Sequence, residues 1–142
     1  MFTEGMKTSL RDDWATPQWL FDKLNDEFHF DLDPCANEQN HKCENYFTKE
    51  QDGLTKKWGG WRVFCNPPYG RQIGKWMQKC CEEGRKTLVV ALVPARTDTK
   101  WFHEYVLGKA EIRFIKGRLS FDEQGRAPFP SMIVIYRGNS EK

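Results

Sequence analysis

Asn66, Pro67, Pro68 and Tyr69 follow one another at the end of a short apolar run, Val63-Phe64-Cys65. Together they are the residue types needed to hold an amino group. The Asn66 side-chain oxygen and a prolyl carbonyl both accept hydrogen bonds from an exocyclic amino group, and the Tyr69 ring can stack on a planar base. Proline has no N–H and fixes φ, so Pro67 and Pro68 end ladder pairing and stiffen the loop. The run reads as a buried strand projecting Asn66 and Tyr69 from its C-terminal end, where open α/β sheets bind their ligands. Asn-Pro is also a common turn starter. An ordinary proline turn therefore accounts for the same four residues, and the rest of the chain has to decide.

The elements that would position this tip are legible in part. Thr16-Pro17 reads as a helix start, with Thr16 as N-cap and Pro17 at the first position. Trp19, Leu20, Lys23, Leu24 and Phe28 follow at helical spacing, and the helix is expected to end near residues 25–27. Residues 28–33 alternate apolar and polar, which marks a strand with one wet face or one at a sheet edge. Residues 37–57 are polar and irregular, with no second buried strand. Beyond the tip, Ile73, Trp76, Met77 and Cys80 or Cys81 space as a helix that Gly84 ends. Residues 87–93 form a continuous apolar run, the signature of a strand covered on both faces, and Pro94 stops it. Asp98 or Thr99 caps a short helix through Trp101, Phe102 and Val106, the two aromatics belonging to the core. Residues 111–115 and 131–136 read as strands, with residues 122–126 as a loop between them. Alternating β and α elements argue for a mostly parallel sheet with helices on its faces. The connection between the last two strands suits an antiparallel pair.

The chain has 142 residues, the size of a single domain, with residues 1–11 expected as a flexible arm and 137–142 as a tail. Its net charge of +2 carries no strong basic tail, so charge neither announces nor excludes nucleic acid. Five cysteines, Cys35, Cys43, Cys65, Cys80 and Cys81, lack framework spacing and read as reduced thiols of a cytoplasmic protein. Cys35, His41 and Cys43 lack the paired spacing of a structural zinc site, and no metal is expected. No apolar run approaches a membrane span.

At this point the chain resembles the small phage-type DNA N6-adenine methyltransferases, often called Dam-like. The matching stretches are Trp14-Ala15-Thr16-Pro17, Phe30-Asp31-Leu32-Asp33-Pro34-Cys35-Ala36, Tyr46-Phe47-Thr48 and Asp52-Gly53-Leu54. They continue with Phe64-Cys65-Asn66-Pro67-Pro68-Tyr69-Gly70, Pro94-Ala95-Arg96-Thr97-Asp98-Thr99, Gly117-Arg118-Leu119 and Pro128-Phe129-Pro130-Ser131. They span nearly the whole chain in one order. The resemblance implies a class I, reduced Rossmann-like α/β fold of about five strands, mostly parallel with one antiparallel strand. It implies S-adenosylmethionine (SAM) as methyl donor, double-stranded DNA as partner, and the cytoplasm of a host cell as location. It further implies that Asn66, Pro67, Pro68 and Tyr69 form the amino-methylation motif. Asp33, Pro34 and Cys35 would occupy the first SAM-binding turn, with Thr16 and Pro17 beside the methionine part of SAM.

Two departures from the broader class stand out. The first SAM loop is usually glycine-rich, and Pro34-Cys35-Ala36-Asn37-Glu38 has no glycine. The class also carries two βα units before the catalytic strand, yet about twenty-five residues separate Ala36 from Arg62, too few for two crossovers of at least 10–12 residues each beside their strands. The sheet is therefore expected to have lost one flank, leaving residues 28–32 at its edge. The irregular segment must then supply the ribose contact, with Asp52 as first candidate acid and Asp31 and Glu50 behind it. Arg71, Arg96, Thr97 and Lys100 follow strand ends on the same sheet edge and are candidates for phosphate or flanking-base contacts. Cys65 sits inside the strand and is not read as a nucleophile. Other acceptors remain open, RNA or a protein glutamine amide, as does a non-catalytic nucleic-acid-binding remnant. No separate target-recognition domain is visible, and so small a reader would gain contact area by pairing with a second copy.

Overall fold

The computed structural model describes residues 13–121 and 124–138. The expected arm and the last four residues of the tail lie outside the described residues. Three helices, α1 (Gln18–Phe28), α2 (Ile73–Glu83) and α3 (Lys100–Tyr105), accompany the strands β1 (Leu32–Asp33), β2 (Asn45–Tyr46), β3 (Val63–Cys65), β4 (Val89–Pro94), β5 (Glu111–Phe114), β6 (Ser120–Phe121), β7 (Gly125–Arg126) and β8 (Ser131–Tyr136). Six strands make one sheet in the order β2-β1-β3-β4-β8-β5, and β6 and β7 form a separate hairpin. β2, β1, β3 and β4 are parallel, whereas β8 runs antiparallel to both β4 and β5. This is the mostly parallel α/β sheet with an antiparallel strand near one end that the sequence led us to expect.

Neighbouring residues of β3 show how the layers form, because successive side chains of a strand point to opposite faces. Phe64 packs edge-on against Phe21 of α1, with ring centroids 5.3 Å apart. Cys65 points the other way, in hydrogen-bonding contact with Cys80 of α2. Helices therefore cover both faces, and every residue of β4 and β8 is buried between them. The α2 face is the one the spacing anticipated: Ile73, Trp76, Met77, Cys80 and Cys81 are its buried residues. In α1 the buried face is Leu20, Phe21, Leu24 and Phe28. Trp19, expected on that face, is 59% exposed. Thr99 caps α3, accepting a hydrogen bond from the Phe102 N–H, and Trp101 and Phe102 are core.

Three expectations about the first third of the chain need correction. Thr16 does not cap α1. Pro17 holds the cap position without a side-chain bond, and the Thr16 hydroxyl is engaged elsewhere. The strand expected over residues 28–33 is reduced to its last two, because His29 turns left-handed at φ 55° and Asn25 captures the Phe30 N–H with its side chain. Nor is that strand the sheet edge. β2 pairs in parallel outside it, Leu32 with Asn45 and Asp33 with Tyr46, and makes a six-stranded sheet where about five strands were expected. The first two residues of the tail are held against the fold. Arg137 pairs with Glu111, and Gly138 lies against the backbone of Lys86 and Thr87.

Candidate active site

Everything at the C-terminal ends of the parallel strands falls on one edge of the sheet. Asn66 leaves β3 there, and its carboxamide is held on both sides. Its Nδ2 donates to the Thr16 hydroxyl at 2.8 Å and to the Trp14 carbonyl. Its Oδ1 accepts from the Tyr69 hydroxyl at 2.6 Å. Thr16 is only 3% exposed, so this bond also satisfies a buried hydroxyl. An amide oxygen has two lone pairs; Tyr69 occupies one of them. The Pro67 carbonyl accepts no hydrogen bond from the described residues. The motif thus presents one free lone pair of Asn66 beside an unused carbonyl, on a loop that two prolines keep rigid.

Tyr69 differs from the expectation. Its ring is 4% exposed and does not offer an open stacking face. Phe121 and Phe129 meet it edge-on at 6.4 and 5.6 Å, and Trp14 meets the same two rings at 5.4 and 5.2 Å. Aromatic rings bury large areas, and these four close over the tip from sequence positions far apart. The hydroxyl also lies 2.9 Å from the Leu92 carbonyl of β4. Burial pushes the phenol's pKa far up, so it stays protonated and remains a donor to Asn66. Its hydrogen bond to Asn66 makes Tyr69 an orienting group for the amide as well as a candidate base contact.

Asp33 ends β1 and is 5% exposed. One carboxylate oxygen accepts from the Lys42 N–H at 2.9 Å and the other from the Cys35 N–H at 3.3 Å. Its carbonyl accepts from the Phe47 N–H, while Phe47 in turn accepts from Ala36. Asp33 therefore ties the loop of residues 34–42 to the segment that forms β2. Burial raises its carboxyl to about 6, against the pull of those two backbone N–H groups. Pro34 is buried next to it, and the Cys35 thiol is pushed up by burial and by the Asp33 charge, which leaves it unreactive.

The missing glycine of the first loop has a counterpart across the fold. A Cβ on Gly53 would lie 2.2 Å from the Pro34 carbonyl oxygen, so only glycine lets this short 3₁₀ turn approach the Pro34 loop. Trp58 locks the approach by donating its ring N–H to the Gly53 carbonyl at 3.0 Å. Asp52, the first candidate acid, caps this turn in a left-handed conformation and accepts from the Leu54 N–H. It does not line the cavity beyond β1 and β2. That cavity has a volume of about 590 Å³ and is lined by Asn37, Glu38, Gln39, Tyr46, Thr48, Glu50 and Gln51. Two acids of the irregular segment line it, Glu38 and Glu50, and of the three candidates for the ribose contact Glu50 is the one among them. Asp31 lies at the other end of the strands, where its carboxylate accepts from the Arg62 N–H at 2.6 Å. It precedes β1, two residues before Asp33.

Arg71, Arg96, Thr97 and Lys100 are exposed on the Asn66 edge, as expected. Arg96 reaches over the Phe129 ring at 6.0 Å, and Lys100 pairs loosely with Glu104 at 3.7 Å. Sequence reasoning did not anticipate that the Trp14 carbonyl and Thr16 would fix the Asn66 amide, or that Phe121 and Phe129 would cover Tyr69. The signal was present in the quoted stretches around Trp14 and Phe129, but their meeting at Asn66 depends on tertiary contacts.

Comparison with known proteins covers nearly the whole chain. The family described as DNA N-6-adenine-methyltransferase (Dam) matches residues 4–141. A DNA N-6-adenine-methyltransferase of Haemophilus phage HP1 (strain HP1c1) is 35% identical over 147 residues, covering 96% of this chain and 84% of that protein. A protein of the same name from Escherichia phage T1 is 33% identical over 120 residues, covering 82% of this chain and 50% of that longer protein. With nearly the whole sequence matched in order, the chain belongs to the DNA N-6-adenine-methyltransferase (Dam) family.

Proposed function

We propose that this chain is an enzyme that transfers a methyl group from SAM to the N6 amino group of adenine in DNA. The observation that carries the reading is the Asn66 carboxamide, fixed by Thr16, Trp14 and Tyr69 beside the unused Pro67 carbonyl. The adenine amino lone pair is delocalised into the ring and is a poor nucleophile. Two oxygens accepting its hydrogens favour a pyramidal nitrogen and stabilise the positive charge that develops there, which is electrostatic preorganisation. SAM, when bound, supplies a methyl group already activated by its sulfonium. Transfer then depends on in-line positioning. The methylated nitrogen becomes acidic once charged and releases its proton without a strong base, and no residue forms a covalent bond. Cys65 is fully buried and held as the thiol.

The residues off β1 and β2 suit such a donor. The cavity of about 590 Å³ is within the usual 300–1,000 Å³ of ligand sites, and its lining is polar. Glu50 would take the ribose hydroxyls in place of Asp52, and Tyr46 offers a ring for the adenine. Asp33 shapes the wall by holding the loop of residues 34–42, since both of its oxygens already accept backbone N–H groups. Thr16 and Pro17 would lie beside the methionine part of the donor, with Thr16 bonded to Asn66. The acceptor base must leave the duplex stack to reach this tip, and it enters by displacing the Phe121 and Phe129 cover from Tyr69. Such an enzyme works in the cytoplasm of a host cell, and pairing of two copies would enlarge its contact with DNA. No helix among the described residues is long and apolar enough to cross a membrane.

Transfer of tritiated methyl groups from labelled SAM to DNA, RNA and protein tests the reading. Label is expected in DNA. Label in RNA or protein would overturn the acceptor, and absence of both transfer and SAM binding heat would leave a nucleic-acid-binding remnant.

A further inference from the structure

Residues 115–130 cross the sheet edge that carries Asn66, because β5 ends there and β8 begins there, Phe114 pairing with Met132 and Pro94 with Ser131. Gly117 makes the turn out of the sheet at φ 74°, a conformation glycine adopts without strain. The chain then folds into the β6–β7 hairpin, with Ser120 opposite Arg126 and Phe121 opposite Gly125. Burial alternates along it. Leu119, Phe121 and Ala127 are buried, whereas Arg118, Ser120 and Arg126 are exposed. Residues directly opposite in an antiparallel pair share a face, so Arg126 and Ser120 stand on the side away from Phe121.

The inner side is bound to the site. Phe121 packs on Trp14 and Tyr69, the Gln124 side chain accepts from the Ala15 N–H at 3.2 Å, and Ala95 donates to the Pro130 carbonyl at 2.9 Å. The outer side carries positive charge. The side chains of Arg118 and Arg126 have no hydrogen-bond or ion-pair partner among the described residues, nor has that of the neighbouring exposed Lys116. Arg113, within β5, and Arg137, just after β8, are by contrast neutralised by Glu27 and Glu111. Asp122 and Glu123, between the two strands, lie outside the described residues.

We propose that Arg118 and Arg126, on the outward side of the β6–β7 hairpin, grip the phosphate backbone of the duplex whose adenine is methylated. One hairpin would then cover the acceptor site with its aromatic side and hold DNA over it with its basic side, in the role that larger enzymes give to a separate domain. This inference rests on the DNA methyltransferase reading and adds a binding surface to it. Guanidinium groups on the outward side of a β-ribbon suit phosphate oxygens, and contacts of this kind set register rather than sequence.

The test is the salt dependence of binding to a short labelled duplex of mixed sequence. Each phosphate contact contributes about 0.9 to the slope of log affinity against log salt, so the Arg118→Ala/Arg126→Ala variant is expected to lose about 1.8 from that slope. The same relation gives a loss of affinity of about 30-fold at about 0.15 M salt. SAM affinity and thermal unfolding should match the wild type. An Arg85→Ala/Lys86→Ala variant, with two charges removed at the opposite end of the sheet, should keep the wild-type slope. An unchanged slope in the first variant, an equal fall in the second, or a wild-type protein that does not bind duplex overturns the surface. A wild-type protein that binds duplex with the expected slope but transfers no methyl group overturns the enzyme reading and leaves the surface standing.

Discussion

Replacing Asn66 by alanine removes the group on which the transfer depends. Its amide makes three hydrogen bonds, to Thr16, Trp14 and Tyr69. At a net value near 1 kcal/mol each, less what water recovers at a half-buried site, the loss of stability is about 1–3 kcal/mol. The Tyr69 hydroxyl keeps the Leu92 carbonyl as partner, while the buried Thr16 hydroxyl is left without one. The effect on rate is of a different kind. Loss of one preorganised electrostatic contact to the reacting group costs about 10²–10³ in rate, or roughly 3–4 kcal/mol of barrier. Single-turnover transfer of labelled methyl groups at saturating SAM and DNA separates the two effects, with denaturant unfolding run beside it. SAM affinity should change little, because the proposed donor contacts lie off β1 and β2. Asn66→Asp sharpens the comparison. It keeps acceptor oxygens but cannot donate to the Trp14 carbonyl, so it should lose similar stability and retain more activity than the alanine variant. A folded Asn66→Ala protein that transfers methyl groups at the wild-type rate would refute the reasoning.

Further outcomes follow from the same contacts. Tyr69→Phe keeps the ring and loses the hydroxyl that orients Asn66. It should cost about 1 kcal/mol of stability and lower kcat more than it alters KM for DNA; an unchanged kcat would remove the orienting role. Gly53→Ala drives a methyl group against the fixed Pro34 carbonyl and should destabilise by about 1–3 kcal/mol. Unchanged unfolding would show that the close approach does not exist. Asp33 has its carboxyl raised to about 6, so the folded chain holds that proton more tightly than the unfolded chain. Its contribution to stability is full below the ordinary Asp value near 4 and is lost as pH rises through 6, a span of roughly 3 kcal/mol. The stability difference between wild type and Asp33→Asn should therefore decline over that window, and a flat difference would contradict the burial argument.

The legible parts of the fold are those where burial alone dictates residue type. β4 and β8 are covered on both faces, and α2 presents one apolar stripe, so their patterns are continuous and their placement follows. The illegible parts are held by polar tertiary bonds. β2 is two residues long and not buried, and it exists because Phe47 bonds to Asp33 and Ala36. The expected strand over residues 28–33 was cut short by one left-handed residue and one asparagine side chain. In the site, the tip bearing Asn66 and Tyr69 was readable from two prolines after an apolar run. The burial of Tyr69 was not, since Phe121 and Phe129 come from more than fifty residues away in sequence. That Glu50 lines the cavity and Asp52 does not was hidden for a similar reason. A local turn claims the Asp52 carboxylate, and turn capping leaves no distinct mark on a polar segment.

The central claim is that an adenine amino nitrogen is methylated at the tip of β3. Its most direct test is to incubate the protein with unmethylated duplex DNA and SAM carrying a deuterated methyl group, digest the DNA to nucleosides, and weigh them. Deuterated methyl is expected on the N6 of deoxyadenosine, and its loss with Asn66→Ala. A label on cytosine, on a ring nitrogen, or on no nucleoside at all would contradict it.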